Sequence, residues 1–357
     1  MMKLTFTVQQ IVTVLVLSRL YTLLTFTTND SSLITSIAGI FTSIPFQLLL
    51  LLPGILILRK SNDQHLLDYT KEQSKLLFYF FAIFLSLSFL FVSLYTMTTF
   101  EDFLTTTLYP RHNSQSLTIA MLICVWIAVY YGFNSLLRMS QISSFFIGIV
   151  TVIILGFALK DGSSYNLKPV IENPIQDLAL LTFYTCIRDI ELLPLFYLMF
   201  TQKQHFKKAL CKYFTTTSVF MTVLLGITLY VLGDYVLYQM YPLYTLTSFI
   251  NASIFQRLDS FYAVIWVIIA FIRISFYLIL GIDALKRIIP NNYHKFLVPV
   301  TIFVILISAF IKDNLYSIRI NAIYFIILTV LIIISLTIFP LIILITSYVK
   351  NRRTKHD

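Results

Sequence analysis

Charge is scarce in this chain. Only 12% of its 357 residues are Asp, Glu, Lys or Arg, about half of the roughly 25% usual in a soluble domain. Too little polar surface remains to cover a globule of this size, which excludes an ordinary soluble enzyme or binding module. Cysteine is scarce as well. Cys124, Cys186 and Cys211 are odd in number and match no metal or disulfide spacing, which leaves them as small apolar side chains. Glycine is scarce too, at nine, and no Walker-type Gly-rich loop, HExxH or GxSxG occurs. The expectation is therefore no enzyme, no cofactor, no metal site and no nucleotide-driven pumping by this chain alone.

What the sequence has instead is apolar residues in long unbroken runs, 58% of the whole. A helix needs about 20 such residues to cross the hydrocarbon core. In lipid every backbone group must be paired internally, so only helices and closed barrels span it. The runs are continuous rather than alternating, and helices follow. Ten spans are expected, at 5–27, 32–58, 76–99, 117–133, 142–160, 178–200, 214–232, 258–283, 294–311 and 320–348. The first is read as an uncleaved helix, because its apolar stretch outlasts a signal h-region and no small-residue cleavage site follows. Pro45, Pro53 and Pro340 are kink points in the long second and last spans.

The net charge of +10 lies between the runs, where the positive-inside rule explains it without nucleic acid. With the N-terminus inside, seventeen Lys and Arg fall in inside segments and six in outside ones. That bias places both termini in the cytoplasm. The stretch 233–257, with Tyr241, Pro242, Tyr244 and Phe249, suits a short helix on the outer membrane surface. Residues 349–357 form a short basic cytoplasmic tail.

Charges inside spans are costly and mark functional positions by default. Arg19 lies near the middle of the first span. Arg188, Asp189 and Glu191 crowd the sixth, with Pro194 just after them. Arg188 and Glu191 share a helix face at i,i+3 spacing, and Pro194 removes a backbone hydrogen bond. Together they point to a strained helix lining a central site. In the eighth span Arg257 and Asp259 open the helix, and Asp259, Trp266 and Arg273 recur every seven residues beside Tyr262. That spacing keeps them near one face, expected to meet the bundle interior. For Trp266 packing is favoured over ligand contact. The histidines sit in loops or at span ends, away from any mid-membrane proton relay. A closed network of these ion pairs that only locks helices together remains the structural alternative.

Several strings then resemble one family. They are AVYYGFNSLLRMSQISSFF (Ala128 to Phe146), NLKPV (Asn166 to Val170), Glu191 with Pro194, YVLG (Tyr230 to Gly233), YPLYTLTSF (Tyr241 to Phe249) and FQRLDSFYAVIWV (Phe255 to Val267). In the last, Gln256, Arg257, Asp259 and Trp266 stand at the positions of a Glu-Arg-x-Glu…Trp signature. The chain resembles the spore-germination permease family, the GerAB-type B subunits of nutrient germinant receptors, in the amino acid–polyamine–organocation superfamily. The resemblance implies a LeuT-like fold of two inverted five-helix repeats, about 5–160 and 178–348, within a single polytopic membrane domain. It implies that spans 1 and 6 break at mid-membrane to hold a small ligand, an amino acid in many relatives. It also implies partner subunits of A and C type, and residence in the spore inner membrane or cell membrane.

The chain departs from that pattern. Its first span reads LSRLYTLLT (Leu17 to Thr25), with neither Gly nor Pro, and Asp189 replaces a glycine in the sixth. Two arrangements stay open. Arg19 binds a ligand carboxylate while Asp189 or Glu191 takes the amine, or Arg19 pairs with Asp189 and fills the pocket. The competing functions are a receptor subunit, a proton-coupled amino acid transporter using Glu191, and a divergent structural subunit.

Overall fold

The computed structural model describes residues 7–24, 33–61, 64–108, 114–167, 178–179, 182, 185–186, 199, 203–239, 241–250, 259–312 and 326–353. Every regular element among them is helical. The α-helices are α1 (Val8–Leu24), α2 (Leu33–Lys60), α3 (Leu66–Gln73), α4 (Lys75–Phe103), α5 (Ser114–Tyr131), α6 (Phe133–Ala158), α7 (Lys203–Leu232), α8 (Pro242–Phe249), α9 (Asp259–Lys286), α10 (His294–Lys312) and α11 (Phe339–Arg353). Five stretches are long and apolar enough to cross a membrane: Ile37–Lys60, Lys75–Leu108, Phe133–Asp161, His205–Val236 and Asp259–Lys286. Val8–Leu24, Ser116–Tyr131 and Phe339–Val349 are shorter apolar helices. Large apolar side chains such as Leu49, Ile142, Phe145, Val152 and Phe303 point outward. Water would penalise such a surface and hydrocarbon does not; the molecule is a multi-pass membrane protein.

α1 is continuous over Val8–Leu24. The mid-membrane break that the family resemblance implies for this helix is not there. The physical reason is local: without Gly or Pro, nothing in Leu17 to Leu24 interrupts the i→i−4 ladder. Near the other end of the chain, Pro340 does disturb its helix. Its missing N–H cannot reach back four residues, and a π turn at Ile334–Ile338 leads into α11. α11 then runs to Arg353, so the basic tail expected from 349 begins inside a helix.

Three other boundaries differ from the sequence expectation. No loop separates the fourth and fifth spans. α5 ends at Tyr131 and α6 begins at Phe133, with Gly132 alone between them at φ 82°. Only glycine adopts that conformation without strain. Arg138, expected in a loop, is an exposed residue of α6. α7 starts at Lys203, eleven positions before the expected 214. Its first turns are amphipathic, with Phe206, Ala209, Leu210 and Tyr213 buried and Lys207, Lys208 and Lys212 exposed. Finally, the segment between the second and third spans holds α3. His65 Nδ1 accepts from the N–H of Leu67 at its start. Ser74 closes α3 through its N–H to the carbonyl of Thr70 and caps α4 with its hydroxyl.

The chain forms two compact units. The first comprises residues 1–46, 137–188 and 211–272, the second 47–136, 189–210 and 273–357. α9 gives its first half to one and its second half to the other. In the first unit Gln10 Nε2 on α1 donates to Gln141 Oε1 on α6 at 3.2 Å, and Thr42 on α2 bonds Thr182.

In the second unit α4 and α9 lie close enough for two serines to reach the opposite backbone. Ser86 Oγ donates to the Gly281 carbonyl at 2.8 Å and Ser93 Oγ to that of Ile274 at 3.2 Å. A Cβ on Gly281 would meet Leu90 at 3.0 Å. Small residues and interhelical hydroxyl bonds are the usual means of close helix approach where burial from water supplies no drive.

Candidate functional site

The N-terminal half of α9 packs on the C-terminal half of α1. The rings of Tyr21 and Trp266 lie 5.4 Å apart at 33°. The hydroxyl of Tyr262 donates to the carbonyl oxygen of Leu24 at 3.3 Å. Leu24 is further along α1 than Tyr21, while Tyr262 precedes Trp266 on α9, so the two helices run antiparallel here. In a low-dielectric setting this bond from Tyr262 to the backbone of α1 ties the two helices together. Trp266 is fully buried and Tyr262 4% exposed. The interior-facing reading of this face therefore holds for Trp266, and its contact with Tyr21 is packing.

Arg19 is also buried, at 5% exposure. Its Nη1 donates to Thr22 Oγ1. Thr22 spends its own hydroxyl hydrogen on the Arg19 carbonyl at 2.8 Å, and its Oγ1 accepts from Arg19 at the same time. At 100° per residue, Arg19 points about 160° away from Tyr21 around α1 and about 140° from Leu24. The structure thus brings Tyr262 and Trp266 to α1 through Tyr21 and Leu24, on a different face from the one that carries Arg19.

A cavity of about 30 Å³ lies beside Tyr262, lined by Leu20 and Leu24 of α1, Thr151 of α6, Leu243 and Thr247 of α8, and Ile265 of α9. A space of that size is large enough to admit water. α8 is the short helix expected in the outer segment. Pro242 begins it, where a missing N–H costs nothing. Its Leu243, Leu246 and Thr247 are buried, and Tyr244 meets Tyr262 edge to face at 5.8 Å.

Arg273 belongs to the second unit. It is 1% exposed, its Nε donates to Thr96 Oγ1 of α4 at 2.9 Å, and its guanidinium lies 5.5 Å from the Tyr277 ring. Asp259, at the first position of α9, is half-buried and accepts from the N–H of Ser260. A carboxylate suits a helix N-terminus electrostatically. Glu101 went unnoticed in the sequence because it falls past the expected end of the third span. It is 5% exposed and accepts from Thr118 Oγ1 of α5 at 3.1 Å. The π turn Leu104–Leu108 begins three residues after it.

Two of the strings noted separately in the sequence meet in space. Asn166 Nδ2 donates to the carbonyls of Tyr230 and Val231 at 3.0 and 3.2 Å, and the N–H of Ser163 donates to Tyr230 as well. These are end carbonyls of α7, so the loop after α6 caps a helix about 65 residues further on. Gly233 takes φ 55° there, the left-handed conformation that commonly ends a helix. A Cβ on Gly233 would sit 2.9 Å from the Asn166 side chain, and one on Gly162 would sit 1.9 Å from the Tyr230 ring.

Arg188, Asp189, Glu191, Pro194 and Arg257 lie outside the described residues. A protein-family model described as "spore germination protein" (Spore_permease) matches residues 5–317, a range that takes in every helix from α1 to α10. No curated protein matches the chain.

Proposed function

This chain belongs to the spore germination protein family, and we propose on that premise that it is the ligand-binding membrane subunit of a nutrient germinant receptor. It is a germination-related membrane permease by family and by its apolar helices. In the proposal it has ten spans arranged as two inverted repeats in the spore inner membrane. A small amino-acid-like ligand sits at mid-membrane between the first and sixth spans. Arg19 takes the carboxylate, and Asp189 or Glu191 takes the amine. Ligand binding shifts a conformational equilibrium that subunits of A and C type read.

The observation that carries this reading is Arg19 itself. It is a cation held at 5% exposure in an otherwise apolar helix. A guanidinium in that setting is costly and is retained where it meets a partner, and its planar fork suits a carboxylate.

A second reading has support of its own. α1 is unbroken, so it offers none of the unwound backbone that a site between broken helices uses. That favours a filled pocket, with the subunit acting in assembly.

Equilibrium binding of labelled amino acids to the purified protein separates the two. In the receptor reading Arg19→Ala weakens binding by about ten- to a hundred-fold, the worth of a charge-assisted contact, while Arg19→Lys weakens it less. Unchanged affinity in a folded Arg19→Ala variant removes Arg19 from the site. No binding of any amino acid by the wild type favours the filled pocket.

A further inference from the structure

One end of the second unit is basic and sits at the limit of its outward-facing apolar stripes. α2 finishes there with Arg59 and Lys60. α3 follows after a short connection and α4 starts at Lys75. α9 ends there with Lys286, and Arg287 Nη1 bridges to Asp68 of α3 at 3.1 Å. A short turn leads on to α10, whose second residue is Lys295. α11 also packs on α3. Connectivity and the Arg287–Asp68 bridge thus bring five helix ends to one side.

The acidic groups on this side are partly committed. Asp68 and Asp283 both face Arg287, and Glu72 accepts from Gln64. Lys60, Lys71, Lys75, Lys286 and Lys295 all remain exposed.

The level of these lysines follows from what lies below them. Beneath Lys75, α4 exposes Leu76, Tyr79, Phe80, Ile83 and Leu87. Beneath Lys295, α10 exposes Phe296, Val300, Phe303 and Val304. Above the exposed Leu49, Leu52 and Leu56 of α2 stand Arg59 and Lys60. Apolar stripes of this kind face acyl chains, and the first charge at their end lies at the depth of the headgroups. The ammonium groups of Lys71 and Lys295 lean over Phe78 and Phe296 at 5.7 and 5.1 Å, and Tyr293 is exposed beside them. Lysine above an aromatic ring at a membrane interface is placed to meet a phosphate while its stem stays in the apolar layer.

We propose that this end of the second unit, built on α3 and the adjoining ends of α4, α9 and α10, is a binding surface for anionic phospholipid headgroups. The ligand class is a phosphodiester lipid with net negative charge. α3 is the element that makes the surface specific: clamped to the end of α9 by Asp68–Arg287, it presents Lys71 from a fixed helix instead of a loose basic loop.

The test is native mass spectrometry of the full-length protein released from micelles carrying phosphatidylglycerol and phosphatidylcholine in equal amounts. The wild type should retain phosphatidylglycerol preferentially. The quadruple variant Lys71→Gln, Lys75→Gln, Lys286→Gln, Lys295→Gln should lose that preference on the order of tenfold or more. Lys160→Gln, in the other unit, should leave it intact. Circular dichroism confirms that each variant is folded. A preference that survives the quadruple substitution overturns the proposal, as does a wild type that shows none. Displacement by soluble glycerol phosphate at equal concentration overturns it too, by showing a free-anion site.

Discussion

Asn166 donates its side-chain amide to the carbonyl of Tyr230 at 3.0 Å, across 64 residues of sequence. The contact turns a loop after α6 into the cap of α7. Asn166→Ala leaves two helix-end carbonyls without this donor, and the expected loss is about 1–3 kcal/mol. Asn166→Asp should be no better, since a carboxylate would face the same carbonyls. Thermal unfolding of the purified variants checks both, and melting points equal to wild type contradict the capping role.

Three glycines near helix ends should rank in a fixed order. Gly132 has φ 82° and open space at its Cβ position, so Gly132→Ala costs about 1 kcal/mol from backbone strain alone. Gly233→Ala adds a clash with Asn166 to a similar strain. Gly162→Ala drives a methyl into the Tyr230 ring and should be the most disruptive. A series of melting temperatures reads the order directly. Equal effects at Gly132 and Gly162 would show that the ring can move aside without cost.

At the α1–α9 seam, Trp266→Ala removes a fully buried ring and should cost about 3–5 kcal/mol. Tyr262→Phe keeps the ring and removes the hydroxyl bond to Leu24, for about 1 kcal/mol. Unfolding measurements on the two variants should differ several-fold. A Tyr262→Phe loss as large as that of Trp266→Ala would mean that the hydroxyl holds more than this one contact with α1.

Arg273→Lys should behave as a disruptive change despite its retained charge. The Nε that bonds Thr96 and the planar group beside Tyr277 have no counterpart in lysine. Thr96→Val, which keeps shape and removes the acceptor along with the hydroxyl's bond to the Val92 carbonyl, should reproduce part of the loss. A double-mutant cycle on stability measures the shared part, and strict additivity would place the two residues in separate roles.

The apolar runs announced most of this fold, because lipid selects them by length and composition. α1, α2, α9 and α10 lie within a few residues of where hydropathy put them. The misses have physical causes. The start of α7 is amphipathic, so its lysines hid a helix from a composition argument. α3 lay among charges, and its helix depends on the caps at His65 and Ser74. The junction at Gly132 rests on one backbone angle that no neighbouring residue advertises. Of the residues singled out within spans, Arg19, Tyr262, Trp266 and Arg273 are buried, as the cost of exposing a charge to lipid or the packing of an aromatic leads one to expect. The pairing of Tyr21 with Trp266, and of Asn166 with α7, was not legible in the sequence, since each joins segments whose separation in sequence carries no signal.

An experimental structure of the protein with a bound amino acid tests the central claim most directly. The account predicts the ligand carboxylate within about 3 Å of the Arg19 guanidinium, with Asp189 or Glu191 at the amine. A ligand held elsewhere, with Arg19 paired to Asp189 across a closed space, contradicts it.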